Sequence, residues 1–269
     1  MNLSDITPLV ITFNEEPNIK RCLERLRWAS RIVVMDSGST DGTLAICQGF
    51  PNVEVIHRAF DSFAGQCNEG LKHVLTDWVL SMDADYVFPA DMPMVLSPLK
   101  SDSLVAGYRF PFRYCIYGRP LRSCLYPPRT VLYRKRLAIY RNDGHGHRVE
   151  IDGAVTELPV KIDHDDRKPL ARWLDSQRKY AALEAEKLSK EVSYIGTADR
   201  LRKMIWPAAP AAFLFTLIVK GLVLDGWPGL YYVLQRTYAE LLLSLELLER
   251  KLVRSEAVVM TEPTGKELR

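Results

Sequence analysis

Two carboxylates, Asp83 and Asp85, stand one residue apart in "DWVLSMDADYVF" (77–88), where an apolar run ends. Desolvating a carboxylate costs on the order of several kcal/mol unless it is paired or binds a cation, so acids at the end of a buried strand need a partner. Side chains two apart on an extended chain point the same way, so both acids can address one ligand. Their hard oxygens suit Mg²⁺ or Mn²⁺, which take one or two protein carboxylates and complete their shell with water and substrate phosphates. A metal-held diphosphate is the complement; otherwise Asp83 caps the next helix or accepts backbone hydrogen bonds and Asp85 faces water. Asn14 and Glu15 follow "PLVITF" (8–13), and Asp36 closes "RIVVMD" (31–36). The chain contains neither G-x-x-x-x-G-K-[ST] nor a G-x-G-x-x-G after its first apolar run, so a nucleotide here would be held by acids and a metal, not by a glycine cradle.

These groups share a rim only if the segments before them form one sheet. "PLVITF" predicts a short buried strand, and "EEPNIKRCLERLRWA", apolar at 19, 23 and 26, a helix. "RIVVMD" is a second strand, stopped by "SGSTDG" and followed by a helix over 42–49. "NVEVI" (52–56) is a third, then a helix over 62–75 and a fourth strand in "DWVLSMD". Short apolar strands alternating with helices predict a mostly parallel α/β sheet with right-handed crossovers. Ligands bind such sheets beyond the carboxyl ends of the strands, where Asn14, Glu15, Asp36, Asp83 and Asp85 all lie.

Beyond residue 100, "LVAGYRFPFRYCIYG", "RTVLYRKRLAIYR" and "RVEIDG…LPVKIDH" predict a mixed or antiparallel β extension, and residues 168–191 an amphipathic helix apolar at 170, 173, 174, 181 and 188. Met204 to Val219 is the most apolar stretch, but it holds Pro207 and Pro210 and falls short of the roughly 20 residues of a membrane span. It is expected to be an interfacial anchor or a core hairpin. Trp206, Trp227, Tyr231 and Tyr232, with Lys203, Lys220 and Arg236, are the residue types of a headgroup boundary.

A chain of 269 residues can form one large α/β domain, and 47% hydrophobic with 26% charged residues fits a folded protein. Net charge +3 names no partner, but residues 100–141 carry ten Lys or Arg and one acid, Asp102. That segment is either a solvated face or a surface for an anion. It lacks a recognition helix or stacking module, so nucleic acid is not an expected partner. Five cysteines (22, 47, 67, 115 and 124) without C-x-x-C argue against a disulfide framework or structural zinc and for a reducing cytosol. "MNLSDITPLVITFNEE" lacks the basic and long apolar regions of a secretory signal.

"LVITFNEEPNI", "IVVMDSGSTDGT" and "WVLSMDADYVF" together resemble the three successive nucleotide-binding blocks of family-2 glycosyltransferases, enzymes of the GT-A type α/β fold. The resemblance is close over residues 8 to about 90. "DGHGHRVEIDG" through "HDDRKPLARWLDSQRKYAALEAEKL" is similar to bacterial members that build lipopolysaccharide core or exopolysaccharide, as is the tail "IVKGLVLDGWPGLYY". The resemblance implies an inverting, metal-dependent transfer from a nucleotide-diphosphate sugar to a glycolipid or lipid-linked glycan, by a peripheral protein on the inner face of the cytoplasmic membrane. A polyprenyl-phosphate sugar synthase or an inactive binding protein of the same fold are the alternatives. Residues 1–100 would form the nucleotide-sugar half, 101–168 an acceptor-side β extension of the same domain, and 169–269 a helical region with its apolar segment at 204–235.

Position by position, the resemblance places Thr12, Asn14 and Glu15 in the nucleotide pocket, Asp36 on the base and Asp83 near the ribose or sugar. Asp85 would ligate the Mn²⁺ or Mg²⁺ that bridges the diphosphate, and Asn68 in "FAGQCNEGL" would support the pocket. His164 in "KIDHDDRK" would be a second metal or phosphate ligand, or else a helix-start residue. Arg129 would reach the diphosphate or an anionic acceptor, unless it is a surface arginine. Single displacement needs one general base on the acceptor side. Some relatives carry a His-Glu pair there, whereas no Glu directly follows His145 or His147. Asp143 and His145 are the candidates, with Glu157 behind them, although Asp143-Gly144 is also a turn dipeptide.

Overall fold

The structure, a computed structural model, describes residues 1–99, 104–143, 146–190 and 196–261. The first half alternates strands and helices: β1 (Ile6–Thr12), α1 (Ile19–Glu24), β2 (Ile32–Asp36), α2 (Thr43–Gln48), β3 (Val53–His57), α3 (Phe63–His73), β4 (Trp78–Asp83), β5 (Tyr86–Val87) and α4 (Met92–Leu96). The β-rich stretch follows with β6 (Val105–Phe110), β7 (Phe112–Ile116), β8 (Arg119–Pro120), β9 (Arg129–Arg134), β10 (Ala138–Asp143), β11 (Gly146–Ile151), β12 (Ala154–Glu157) and β13 (Ile162–His164). The chain ends in helices α5 (Leu170–Ser189), α6 (Thr197–Lys203), α7 (Ala208–Leu214) and α8 (Gly226–Thr261).

Seven strands form the main sheet in the order β12-β6-β9-β4-β1-β2-β3. β9 runs antiparallel to both its neighbours, and every other pair is parallel. The run "IVVMD" is buried at every position because the sheet is covered on both faces. Val10, Val34 and Leu80 pack on one face with Cys22, Leu23 and Cys47 of α1 and α2. Their neighbours Leu9, Val33 and Val79 pack on the other with Ala64, Cys67 and Leu71 of α3. Helix α3 lies so close that a Cβ on Gly70 would stand 2.6 Å from Leu9 Cδ1. Only glycine lets the backbone approach this far.

Two smaller β units flank this sheet. β10 and β11 form a hairpin over α3, and β13 lies between β5 and β7 in a four-stranded sheet completed by β8. The C-terminal helices are stitched on by α8: Ala185 and Leu188 of α5 meet Leu243 and Leu247, and Ile116 and Leu121 meet Tyr232 and Val233. The apolar stretch forecast over 204–219 is α7 followed by a π-helical turn, Phe215–Val219. Among the described residues no single helix is long and apolar enough to cross a membrane. Ala208–Val219 and Leu222–Arg254, bent by 67°, meet the length and composition only as a pair.

Candidate active site

The parallel register sets the rim: Thr12 lies opposite Asp36, and Ile11 opposite Asp83, so three strands end together. Asp36 is fully buried, and its carboxylate accepts from the Gly38 and Ser39 N–H groups (2.9 and 3.0 Å) and the Ser39 hydroxyl (2.5 Å). It holds the "SGST" loop from beneath. Asn14, left-handed at φ 54°, donates its N–H to the Ser39 hydroxyl and accepts from Thr40 N–H at 2.6 Å, which joins the first loop to the second. The buried Thr12 hydroxyl has no partner among the described residues.

Pairing of β13 with β5 carries His164 across 79 residues of sequence to Asp85, where Nε2 and Oδ2 are 3.2 Å apart. Rings of Tyr86, Tyr114 and Tyr126 surround the imidazole at 4.8 to 5.4 Å. Burial works to raise the Asp85 carboxyl, but His164 and Lys168 hold it below the usual carboxylate range. Burial likewise works to lower His164, and Asp85 raises it instead. Each group thus favours the charged form of the other. Among the described residues Asp85 Oδ1 and His164 Nδ1 are nonetheless buried without a partner, and buried polar atoms left unpaired call for a water, ion or ligand. No third His, Cys, Asp or Glu among the described residues completes a protein-only metal site. A carboxylate and an imidazole with further positions open fit a divalent cation that shares its shell with phosphate oxygens.

The segment after His164 straps the first loop. Lys168 Nζ donates to Glu15 at 2.6 Å, Asn18 donates to Asp166 at 2.9 Å, Arg21 pairs with Asp165 at 2.5 Å, and Arg172 donates to the Phe13 and Asn14 carbonyls. Periodicity and motif do not mark Lys168, Arg172 or Arg21; the signal for the first two is the charge density of "HDDRKPLAR" at a predicted helix start. Burial pushes the Glu15 carboxyl up to about 7 from its ordinary 4.5, against the pull of Lys168. A carboxyl raised in the fold binds its proton more tightly there, so its contribution is complete below the unfolded pKa and is lost as pH rises through the folded one. Glu15→Gln, fixed in the neutral form, is expected to be more stable than wild type by about 2 kcal/mol near pH 8 and no more stable near pH 4.5. Urea denaturation in EDTA at the two pH values measures it.

In the β extension, Arg129 lies over the Tyr126 ring at 4.7 Å. Burial works to lower its pKa, but Tyr86, Tyr126 and Asp83 raise it, so it is a fixed cation in the field of Asp83. Asn68 anchors the hairpin: its amide donates to the Tyr140 carbonyl and accepts from the Tyr140 N–H, both at 2.9 Å. Asn68→Ala would strand both backbone groups, at an expected cost of about 2 kcal/mol in urea denaturation. Asp143 is exposed at the hairpin end, with Lys187 at 2.7 Å. Glu157 sits exposed on the outermost strand, with β6 and β9 between it and Asp83. The expectation for His145 lies outside the described residues.

His147 lies two residues beyond the expected candidate His145. Its ring stacks on Phe63 at 5.7 Å and tilts against Tyr140 at 5.3 Å, packed between α3 and the hairpin. Burial lowers its pKa, Asp83 opposes that and Arg129 adds to it, which places the imidazole in the field of both rim residues and neutral at pH 7.

The chain is similar to known proteins. The sequence profile of "Glycosyl transferase family 2" matches residues 9–154. A lipopolysaccharide core biosynthesis glycosyltransferase, LpsC of Rhizobium meliloti, is 28% identical over 242 residues, covering 83% of this chain and 84% of its own. An uncharacterized glycosyltransferase of Rickettsia conorii is 31% identical over 245 residues, covering 82% and 83%. Among solved structures, glucosyl-3-phosphoglycerate synthase of Mycobacterium tuberculosis in complex with Mn²⁺, UDP and phosphoglyceric acid superposes with a TM-score of 0.47 at 15% identity, over 71% of this chain and 81% of that one.

Proposed function

From the premise that this chain belongs to glycosyl transferase family 2, we propose that it transfers a sugar, with inversion, from a nucleotide-diphosphate donor, using Mn²⁺ or Mg²⁺. The acceptor is a lipopolysaccharide-core or other glycolipid or lipid-linked glycan, met at the cytoplasmic face of the membrane. The observation that carries the reading is the buried Asp85–His164 pair, with one atom on each side chain that has no partner among the described residues. The name of the Rhizobium relative supports the acceptor class. Residues 1–100 bind the donor, 101–168 shape the acceptor side, and 169–269 hold the enzyme at its acceptor.

The bound cation would neutralise the negative charge that grows on the departing diphosphate. Asp85 and His164 would hold it, and the ion pairs of Lys168 fix the loop beside them. Thr12 and the loops carrying Asn14 and Glu15 face the nucleotide, with Asp36 keeping the second loop in shape. Asp83 and Arg129 flank the sugar. The acceptor oxygen bonds to the anomeric carbon as the bond to the diphosphate oxygen breaks, and His147 takes the hydroxyl proton.

The test is product formation from UDP- and GDP-sugars with Mn²⁺, Mg²⁺ or EDTA, offering either lipopolysaccharide core or a polyprenyl phosphate. Chelator-sensitive transfer to the glycan is expected. Transfer to polyprenyl phosphate alone would replace this acceptor class, and undiminished turnover in EDTA would end the metal reading.

A further inference from the structure

The C-terminal region turns an apolar surface outward. At the bend between α7 and α8, Ile218 is 63% exposed, Val219 70%, Val223 57% and Leu224 69%. Single exposed apolar residues are ordinary on a soluble protein, but a contiguous patch marks a contact surface. The patch continues along α8, where Trp227, Leu230, Leu234, Leu241, Leu245 and Leu248 are all exposed. Their spacings are multiples of about one turn, so they form one stripe of the helix. The opposite face, with Val233, Leu243 and Leu247, is the one buried against the rest of the protein.

Cations ring the tip. The Arg119 guanidinium lies 5.2 Å from the Trp227 ring, Lys220 Nζ lies 5.6 Å from the Phe215 ring, and Arg122 is bonded to Asp225 in the turn itself. Apolar side chains at the apex with Trp, Lys and Arg behind them match the depth profile of a headgroup boundary. The same cations would repel one another across a two-fold contact, and a zipper along α8 would leave the bent tip uncovered.

We propose that this surface docks on a bilayer containing anionic lipid, the tip entering the acyl boundary and the outer stripe of α8 lying along the headgroups. This rests on the membrane-acceptor part of the function proposed above. It also sets the height of the site: Tyr114, one of the rings around His164, packs on Tyr232 of α8 at 4.8 Å. The inner face of α8 thus walls the donor site while its outer face meets lipid, one helix diameter of about 10 Å away.

The full chain, without sugar nucleotide, is sedimented with phosphatidylglycerol/phosphatidylethanolamine vesicles and, separately, with phosphatidylcholine vesicles. It is expected to pellet with the first in a salt-sensitive manner and weakly with the second. Val219→Asp with Leu224→Asp should lower partitioning about a hundredfold or more, and Arg119→Glu with Lys220→Glu should remove the preference for phosphatidylglycerol. All these side chains lie outside the packed core, so an unchanged melting curve shows that the variants fold. No pelleting with either vesicle, wild-type pelleting of the Asp variant, or a lipid-indifferent dimer that this variant dissolves would overturn the proposal. Vesicle binding without nucleotide binding would leave it standing while removing the donor reading.

Discussion

Asp85→Asn is expected to fold, melting somewhat below wild type because it loses the charge that His164 and Lys168 hold, and to lose Mn²⁺-dependent binding of UDP or GDP together with at least about a thousandfold in transfer rate. The amide keeps the size of the carboxylate and an oxygen for His164, whose Nε2 now sits 3.2 Å away, but it surrenders the charge. Asp85→Ala should show the same loss with an added cost in stability, because it strands the buried imidazole. Calorimetric titration of each protein with UDP and with GDP, with and without Mn²⁺, separates the outcomes. Metal-dependent binding that vanishes in both variants supports a cation held by Asp85 and His164. Binding that persists in Asp85→Asn at wild-type strength would mean that the pair is a structural ion pair in a tyrosine cage, and that the rim recognises the nucleotide without it.

The rim was legible because its strands are short apolar runs that end in polar residues, and period-independent burial is what a sheet covered on both faces requires. β1, β2 and β4 could be found that way, and their parallel register then carries Asp36 and Asp83 to the same edge. What joins His164 to Asp85 was not legible. β5 has two residues and β13 three, too short for any periodicity, and their pairing spans most of the β extension. The same holds for Lys168 and Glu15, 153 residues apart. The apolar stretch at 204–219 was visible as composition, but its breakage was not. Gly221 at φ 68° and Gly226 at φ 62° turn the chain at the tip, so the exposed apolar surface is a bend between two helices and not one longer helix.

His147 was legible in principle. Along the hairpin, Tyr140 pairs with Val149 and Asn142 with His147, while Arg141 pairs with Arg148. Alternation therefore puts His147 on the side of Tyr140 and Val149, which pack on α3, and Arg141, Asp143, Arg148 and Glu150 outward. The turn dipeptide at 143–144 points to the hairpin end, where Asp143 is exposed and paired with Lys187. A base needs the opposite: a fixed position near the reacting atoms and a lone pair at working pH.

From this, His147→Ala is expected to lower kcat by about a hundred- to ten-thousandfold, with nucleotide and Mn²⁺ binding unchanged. The pH dependence fixes the assignment. A base must be unprotonated to act, so the wild-type rate should rise with pH through the His147 pKa and then level off. Because burial lowers that pKa, the rise should fall below the ordinary imidazole range near 6.5. In His147→Ala this limb should disappear, and added imidazole should restore part of the rate, which it would not do for a side chain that merely packs against Phe63. Asp143→Asn is the contrasting variant: Asp143 is exposed and held by Lys187, so its loss should leave the acidic limb in place. If Asp143→Asn removes the limb and His147→Ala keeps it, the proton goes to the hairpin tip. If neither variant changes it, the acceptor arrives already ionised, as a phosphate does, and the polyprenyl-phosphate reaction takes the place of transfer to a hydroxyl.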